Sequence, residues 1–389
     1  MHICYILWKF RSPKNFQQMG GAENQLLKII KRLQRRKDIK ITIISRKLPD
    51  DPIKEIVSSN IKIQRINSSN IPVISLVMFS IVLFFKLIKI NSKERINIIH
   101  LPLPDLYLST LYLLRKILKI PVITRIAADE LSPYSSHGLW LVERLFVRKL
   151  ILQSDGLQTL NNQAYDIAKS VGFDIRKLFL IPNGIEKSKN FKKYEKLTHK
   201  IVYIGAMRHY PKKHKIEQKN LKFLILAFND LLKHKSDLEL IMVGDGNYRR
   251  FLEELVYKLG IKGKVIFTGY QTSINRYFMD ADIFVNPSHF EGMPNTVLEA
   301  MSKGLFVLCS RIPEHKFIVN DNVNGQLFNH KSKKDFVTKI LNFYKNPNKC
   351  IRIAKKGFIY VNKKHSIEDM VDLILNMYLS VLHNSMKRE

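Results

Sequence analysis

Cysteine is scarce. Cys4, Cys309 and Cys350 are too few and too scattered for a disulfide framework or a zinc site, and they read as small apolar fillers in a reducing compartment. Acidic residues are short too: 33 Asp and Glu face 65 Lys and Arg, a formal net charge of +32 over 389 residues. That excess points to an anionic partner, whether nucleic acid, an anionic membrane surface or phosphorylated substrates. A chain generally rich in Lys, Ile and Asn supplies part of it by composition alone. There is no RNA-recognition signature, no zinc-finger spacing and no glycine-bracketed basic-aromatic run, so nucleic-acid binding rests on charge alone and is not expected. The apolar run at the N-terminus has no basic leader before it and no small-residue cleavage site after it, so no signal peptide is expected. No internal repeat stands out. With 46% apolar residues the chain is too hydrophobic for disorder.

What is there reads as βα grammar, twice. Residues 3–8 form a short apolar strand, a polar loop leads to Gly20-Gly21, and 22–37 read as an amphipathic helix. Leu26, Leu27, Ile30 and Leu33 fall at helical spacing, with Lys and Arg largely opposite. Strands follow at 40–45, 96–100, 121–126, 156–160 and 179–182, with helices at 105–119 and 139–152. The pattern restarts with strands at 200–204, 239–243, 265–268, 283–286 and 306–309, alternating with helices. Strand, glycine loop, helix, strand is the opening of a doubly wound α/β domain. The expected domains are 1–185 and 200–365. Between them 186–199 is expected to be a linker, part of a polar stretch with six lysines from Lys187 to Lys200. Residues 366–389 are expected to form a C-terminal helix that packs back on the first domain.

Residues 71–85 carry no charge, but 15 residues fall short of the roughly 20 needed to span a bilayer. A buried core helix is the first reading. An exposed apolar helix dipping into one leaflet beside the cationic 22–37 helix is the second, and a true span the third. Charge is uneven: residues 1–50 hold 12 Lys and Arg against 3 acids, whereas 251–300 hold 4 against 6.

The acidic region coincides with the most informative segment, His289-Phe-Glu-Gly-Met-Pro-Asn-Thr-Val-Leu-Glu-Ala-Met. It follows a strand and enters a helix. Gly292 permits close backbone approach, and Pro294 fits a first helical turn. With Met293 beside them, the N–H groups near Asn295 and Thr296 would face a phosphate. Glu291 lies just before the helix and Glu299 about one turn inside it. Two carboxylates do not bind phosphate, so their natural partners are hydroxyl-rich: a sugar for one, a ribose for the other. Asp280-Ala-Asp282 imitates a metal-binding carboxylate pair, but its place at a helix-to-strand junction reads as structural.

The glutamate segment resembles the signature of retaining glycosyltransferases of family 4. The resemblance runs in order along nearly the whole chain. It takes in Gly20-Gly21-Ala22-Glu23, Ile181-Pro182-Asn183-Gly184-Ile185, residues 201–205, Val243-Gly244-Asp245-Gly246, Phe267-Thr-Gly-Tyr270, Ala281 to Ser288 and Asn324-Gly325. It implies the GT-B architecture, two Rossmann-like domains facing each other across a cleft, with the nucleotide-sugar donor mainly on the second and a saccharide or lipid-linked acceptor on the first. It also implies that Glu291 contacts the donor sugar, that Glu299 binds ribose hydroxyls, and that a basic pair neutralises the diphosphate as it becomes the leaving group. Here that pair departs from the pattern. Arg208 is shifted, the loop is several residues long, and Lys219 is the chosen lysine, with Lys212, Lys213 and Lys215 as rivals. Gly20-Gly21 would press on the diphosphate, and Gly244 lies in the donor site. No metal or other cofactor is expected.

A histidine that many relatives carry after the strand at 121–126 is absent. His100 is expected to be a structural strand-end residue and His137 a loop residue, so no general base is named; the leaving phosphate would take the acceptor's proton. The leading reading is a hexose or hexosamine transferase acting on a lipid-linked saccharide at an anionic membrane. The alternatives are a family relative without transfer activity serving as a partner subunit and, less so, a basic nucleic-acid binder.

Overall fold

The computed structural model describes residues 1–11, 21–67, 72–103, 108–127, 141–209 and 216–387. The chain divides into two compact units, Met1–Asn183 with Ile367–Glu389, and Gly184–Ser366. In the first unit the order is β1 (His2–Lys9), α1 (Gly21–Leu33), β2 (Lys40–Arg46), β3 (Lys54–Ser58), β4 (Ile61–Ile66), α2 (Pro72–Lys93), β5 (Ile98–Leu101), α3 (Leu108–Leu118), β6 (Val122–Ile126), α4 (Leu141–Leu152), β7 (Gly156–Thr159), α5 (Asn162–Ser170) and β8 (Leu178–Leu180). The second has β9 (Lys200–Ile204), α6 (Leu221–Leu232), β10 (Glu239–Val243), α7 (Arg249–Lys258), β11 (Val265–Gly269), α8 (Asn275–Asp280), β12 (Ile283–Asn286), α9 (Asn295–Ser302), β13 (Phe306–Ser310), α10 (Pro313–Lys316), β14 (Gln326–Phe328), α11 (Lys333–Lys345) and α12 (Pro347–Lys364). A last helix, α13 (Ile367–Met386), belongs to the first unit.

Among the described residues the first sheet runs β3-β4-β2-β1-β5-β6-β7-β8 and the second β11-β10-β9-β12-β13-β14. All pairings are parallel except β3 with β4. Each sheet is doubly wound: chain order runs outward from β1 in the first and from β9 in the second. Such switch points leave a crevice outside the strand carboxyl ends, the usual seat of a ligand.

Alternation along β1 separates two cores in the first unit. Cys4 and Ile6 face one cluster with Phe79, Leu83 and Leu87 of α2 and Leu111 and Leu114 of α3. Ile3, Tyr5 and Leu7 face the other, with Leu26, Ile29, Ile30 and Leu33 of α1 and Met370, Ile374 and Tyr378 of α13. The cationic α1 and the apolar α2 therefore cover opposite faces of one sheet and are not neighbours.

Two expectations are corrected here. The apolar segment forms α2, but only one strip of it, Phe79, Leu83 and Leu87, is core. Ile74, Val77, Met78, Ile81, Val82 and Phe85 are exposed. A helix lying on a sheet buries one stripe of its circumference, and among the described residues nothing covers the rest. Residues 186–199 are not a free linker but are strapped to the second unit. Phe191 fills the space beside Gly304, where a Cβ would lie 2.3 Å from its ring. Lys192 N–H donates to the Lys303 carbonyl at 3.0 Å, and the Tyr194 hydroxyl donates to the Gly304 carbonyl at 3.2 Å.

Candidate active site

The loops after β9, β10, β12 and β13 all leave the carboxyl edge of the second sheet. Three residues after the β9 strand, Met207 N–H donates to the Asp245 carbonyl, and Tyr248 N–H donates back to the Met207 carbonyl, at 3.0 and 2.9 Å. This seals the 205–208 loop against Gly244-Asp245-Gly246. Both glycines have positive φ, +135° and +155°, and a Cβ on either would come within 2.0 Å of the Gly205 carbonyl oxygen or 2.2 Å of that of Met207. Only glycine allows that approach. Arg208 follows on this loop with its side chain exposed.

Glu291 stands at the centre of the edge, buried to 6% exposure. Its Oε1 accepts from the Ser288 hydroxyl at 2.7 Å and the Asn286 amide at 3.2 Å. Lys219 donates to both carboxylate oxygens, at 2.7 and 2.8 Å. Burial pushes this carboxyl upward, but the Lys219 ammonium and the Ser288 hydrogen bond outweigh it and hold Glu291 below the ordinary glutamate range. The Lys219 segment is tied to the same loop by its backbone: His289 N–H donates to the Gln218 carbonyl at 2.8 Å, and the Gln218 amide donates to that of Phe290 at 3.3 Å. Glu217 caps α6, accepting from Leu221 N–H at 2.6 Å, and Asn220 takes a left-handed turn, φ +53°, into the helix. Lys219 is thus placed by a capped turn rather than by a floating loop.

Below this pair lies a group that sequence reasoning missed. His315 of α10 is fully buried, its Nδ1 2.8 Å from the Ser310 carbonyl, and the Ser310 hydroxyl in turn donates to the Ser288 carbonyl. Burial drives the His315 imidazole down to about 4, so it is neutral near pH 7. Nothing in the string Pro313-Glu-His signals it: its burial comes from β13 and the Glu291 loop meeting over it.

Of the other expected donor residues, Gly292, Met293, Pro294 and Thr296 follow Glu291 into α9, with Met293 and Pro294 buried, and Glu299 lies half-buried inside the helix. The helix begins at Asn295, one residue later than expected, with Pro294 as its cap. One amide expected to face an anion is already engaged: Asn295 N–H donates to the Met293 carbonyl at 2.9 Å. Gly21 opens α1 in the first unit. Gly20, His137, Lys212, Lys213 and Lys215 lie outside the described residues.

Asp282 is structural. Buried, it accepts from Thr198 N–H at 2.9 Å, the Thr198 hydroxyl at 3.1 Å, His199 N–H at 2.7 Å and the Tyr344 hydroxyl at 3.2 Å. Among the described residues no group of three His, Cys, Asp or Glu side chains is placed to hold a metal ion. In the first unit His100 ends β5 fully buried, its Nδ1 2.7 Å from the Tyr378 hydroxyl, itself 2.7 Å from that of Tyr5. Burial and the Arg125 charge push this histidine down to about 3.

The chain is similar to glycosyltransferases along most of its length. The family model "Glycosyltransferase Family 4" matches residues 19–189, and "Glycosyl transferases group 1" matches 187–359. The chain is 27% identical over 262 residues to the alpha-monoglucosyldiacylglycerol synthase of Streptococcus pneumoniae, covering 63% of this chain and 58% of that one. It is 26% identical over 243 residues to a UDP-Gal:alpha-D-GlcNAc-diphosphoundecaprenol alpha-1,3-galactosyltransferase of Escherichia coli, covering 56% and 60%. The matched stretches therefore span well under two thirds of these curated relatives. Among solved structures, sucrose-phosphate synthase from Thermosynechococcus elongatus shares the fold over 98% of this chain and 99% of that one, with TM-score 0.81 and 17% identity. The fold is GT-B.

Proposed function

The chain belongs to glycosyltransferase family 4 of the group 1 glycosyl transferases, and on that premise we propose that it moves a hexose or hexosamine from a nucleotide-diphosphate sugar to a hydroxyl of a lipid-linked saccharide, with retention of configuration. The observation that carries the reading is the ion pair of Lys219 with the buried Glu291 at the switch point of the second sheet. A cation and a carboxylate held together at a strand-edge crevice offer what such a donor needs: positive charge for the diphosphate and acceptor oxygens for sugar hydroxyls.

In this mechanism Lys219 and Arg208 stabilise the negative charge that grows on the diphosphate as the glycosidic bond breaks. Glu291, kept ionised by Lys219, orients the sugar, and Glu299 on α9 holds the ribose. Gly244 and Gly292 let backbone approach the donor, and no metal takes part. The leaving phosphate oxygen accepts the acceptor's proton, so no side-chain base is required. A glucosyldiacylglycerol product and a diphosphoundecaprenol acceptor in the names of the two relatives support a lipid-borne acceptor. Transfer at the cytoplasmic face, in cell-surface polysaccharide or lipopolysaccharide assembly, is part of the same proposal.

The test is thermal unfolding against a panel of nucleoside diphosphates and nucleotide sugars, followed by NMR of the anomeric proton in the product. Stabilisation by one base family and a product of unchanged configuration are expected. No stabilisation by any member, or an inverted product, would overturn the reading.

A further inference from the structure

Helix α2 is long and apolar enough, over Ile74–Lys93, to cross a membrane. Yet it is built into the first unit, with Phe79, Leu83 and Leu87 locked into the core beneath it. A span would have to tear that strip out. What remains outside is a row of large apolar side chains at helical spacing, Ile74, Val77, Met78, Ile81, Val82 and Phe85, with Phe85 65% exposed. Helix α3 packs beside α2 on the same core and adds exposed Leu113 and Ile117. Both helices run back across the parallel sheet in the same sense, so their C-termini share one edge. There Arg95, Lys116 and Lys119 line one open pocket, and Lys89 and Lys93 are exposed in the last turns of α2.

Neither helix contains a single Asp or Glu. The acids at this edge are taken: Glu94 pairs with Lys40, and Asp155 pairs with Arg115 at 2.6 Å. A soluble monomer gains nothing from leaving such a stripe in water. A second copy packed through the same two helices would bring no counter-charge to these cations. An anionic bilayer surface meets both features at once, with acyl chains for the stripe and headgroup phosphates for the basic edge.

We propose that the outer faces of α2 and α3 form a monotopic membrane-docking surface for anionic lipid, with α2 lying in the interface rather than spanning it. The cationic α1, on the opposite face of the sheet, is then not the docking element. The proposal gives the lipid-linked acceptor of the reading above its location, but binding is independent of catalysis and is measured separately.

The experiment is flotation of the full chain with vesicles of phosphatidylglycerol and phosphatidylcholine, and with phosphatidylcholine alone, at low and at high salt. Three variants are compared: Ile81→Asp with Phe85→Asp, Lys89→Glu with Lys93→Glu, and Lys28→Glu with Lys31→Glu on α1. All these positions lie outside the core, and circular dichroism melting checks each fold. The aspartate pair should lower partitioning at least tenfold at both salt levels while sparing transfer to a water-soluble acceptor. The α2 glutamate pair should lose binding chiefly at low salt, and the α1 pair should bind as wild type. Wild-type-like binding by the folded aspartate pair would overturn the proposal, as would complete release of wild type at high salt. A dimer in solution that the aspartate pair dissociates would assign the stripe to a second copy instead. Loss of transfer with binding intact would count against the enzymatic reading alone.

Discussion

The Lys219 ammonium lies 2.7 and 2.8 Å from the two carboxylate oxygens of Glu291, a residue 72 positions further along the chain. The half-buried Lys219 compensates the buried Glu291 carboxylate. Coulomb attraction repays desolvation only while both are present. Replacing Lys219 with Met strands a buried carboxylate and should cost about 3–5 kcal/mol in urea unfolding. Adding Glu291→Gln to that variant should restore most of the loss. If Lys219→Met unfolds like wild type, the pair is not compensating.

Glu291 also sets a sign. Its carboxyl is depressed in the folded state, so its contribution is present above the ordinary glutamate range and is lost as pH falls through the folded value. Two of the buried histidines act higher. His100 sits near 3 and His315 near 4, both below the ordinary 6.5. The unfolded chain protonates them from pH 6.5 downward while the folded chain does not. Each should therefore remove about 1.4 kcal/mol of stability per pH unit between 6.5 and 4. Denaturation midpoints at pH 7, 6, 5 and 4 check this, and His100→Gln should flatten the slope by one such share. An unchanged slope would contradict it.

Glu299 is the cleanest probe of the donor site, since it lies half-buried on α9 and outside the Lys219–Glu291 pair. A nucleoside diphosphate at about 100 times its dissociation constant should stabilise wild type by roughly 2.7 kcal/mol. In Glu299→Ala that stabilisation should vanish while the unliganded chain stays folded by circular dichroism. A retained shift would remove Glu299 from the ribose.

Asp282 and metal independence are tested together. Asp282→Ala removes a buried carboxylate that accepts from part-buried donors of Thr198, His199 and Tyr344, and it should cost about 1–3 kcal/mol in unfolding experiments. Turnover in EDTA should match turnover in added magnesium or manganese. Loss of activity on chelation, restored by one cation, would refute the metal-free mechanism.

Gly246→Ala offers a backbone test. At φ +155° with the Met207 carbonyl 2.2 Å from the new Cβ, the loops after β9 and β10 must separate. A loss of about 2 kcal/mol or more, measured by denaturant midpoint, together with weaker nucleotide binding, is expected.

Much of this was legible without coordinates. Short apolar strands alternating with helices gave the two doubly wound halves, because burial on both faces of a parallel sheet writes itself as continuous apolar runs. The glutamate segment was legible because a strand-loop-helix turn needs Gly and Pro at fixed places. The edge strands β3 and β14, and β4 next to β3, went unread: they are three to six residues long, and mixed burial in β3 and β4 blurs the signal. Residues 186–199 read as a linker because five lysines in a polar stretch say nothing of Phe191 and Tyr194 anchoring it.

What the sequence by itself determined was therefore periodic or local: the βα order, the turn chemistry at Gly244 to Gly246, and the Glu291–Glu299 spacing on one helix entry. What only the tertiary structure decided depends on which surfaces are left over once elements pack. Lys219 finds Glu291, and His315 comes to rest beneath the Glu291 loop, because loops from β9, β12 and β13 converge at one sheet edge. Helix α2 keeps an apolar face in the open because its partner sheet takes only one stripe of it. Burial belongs to an arrangement of segments, and a residue's own neighbours in sequence do not carry it.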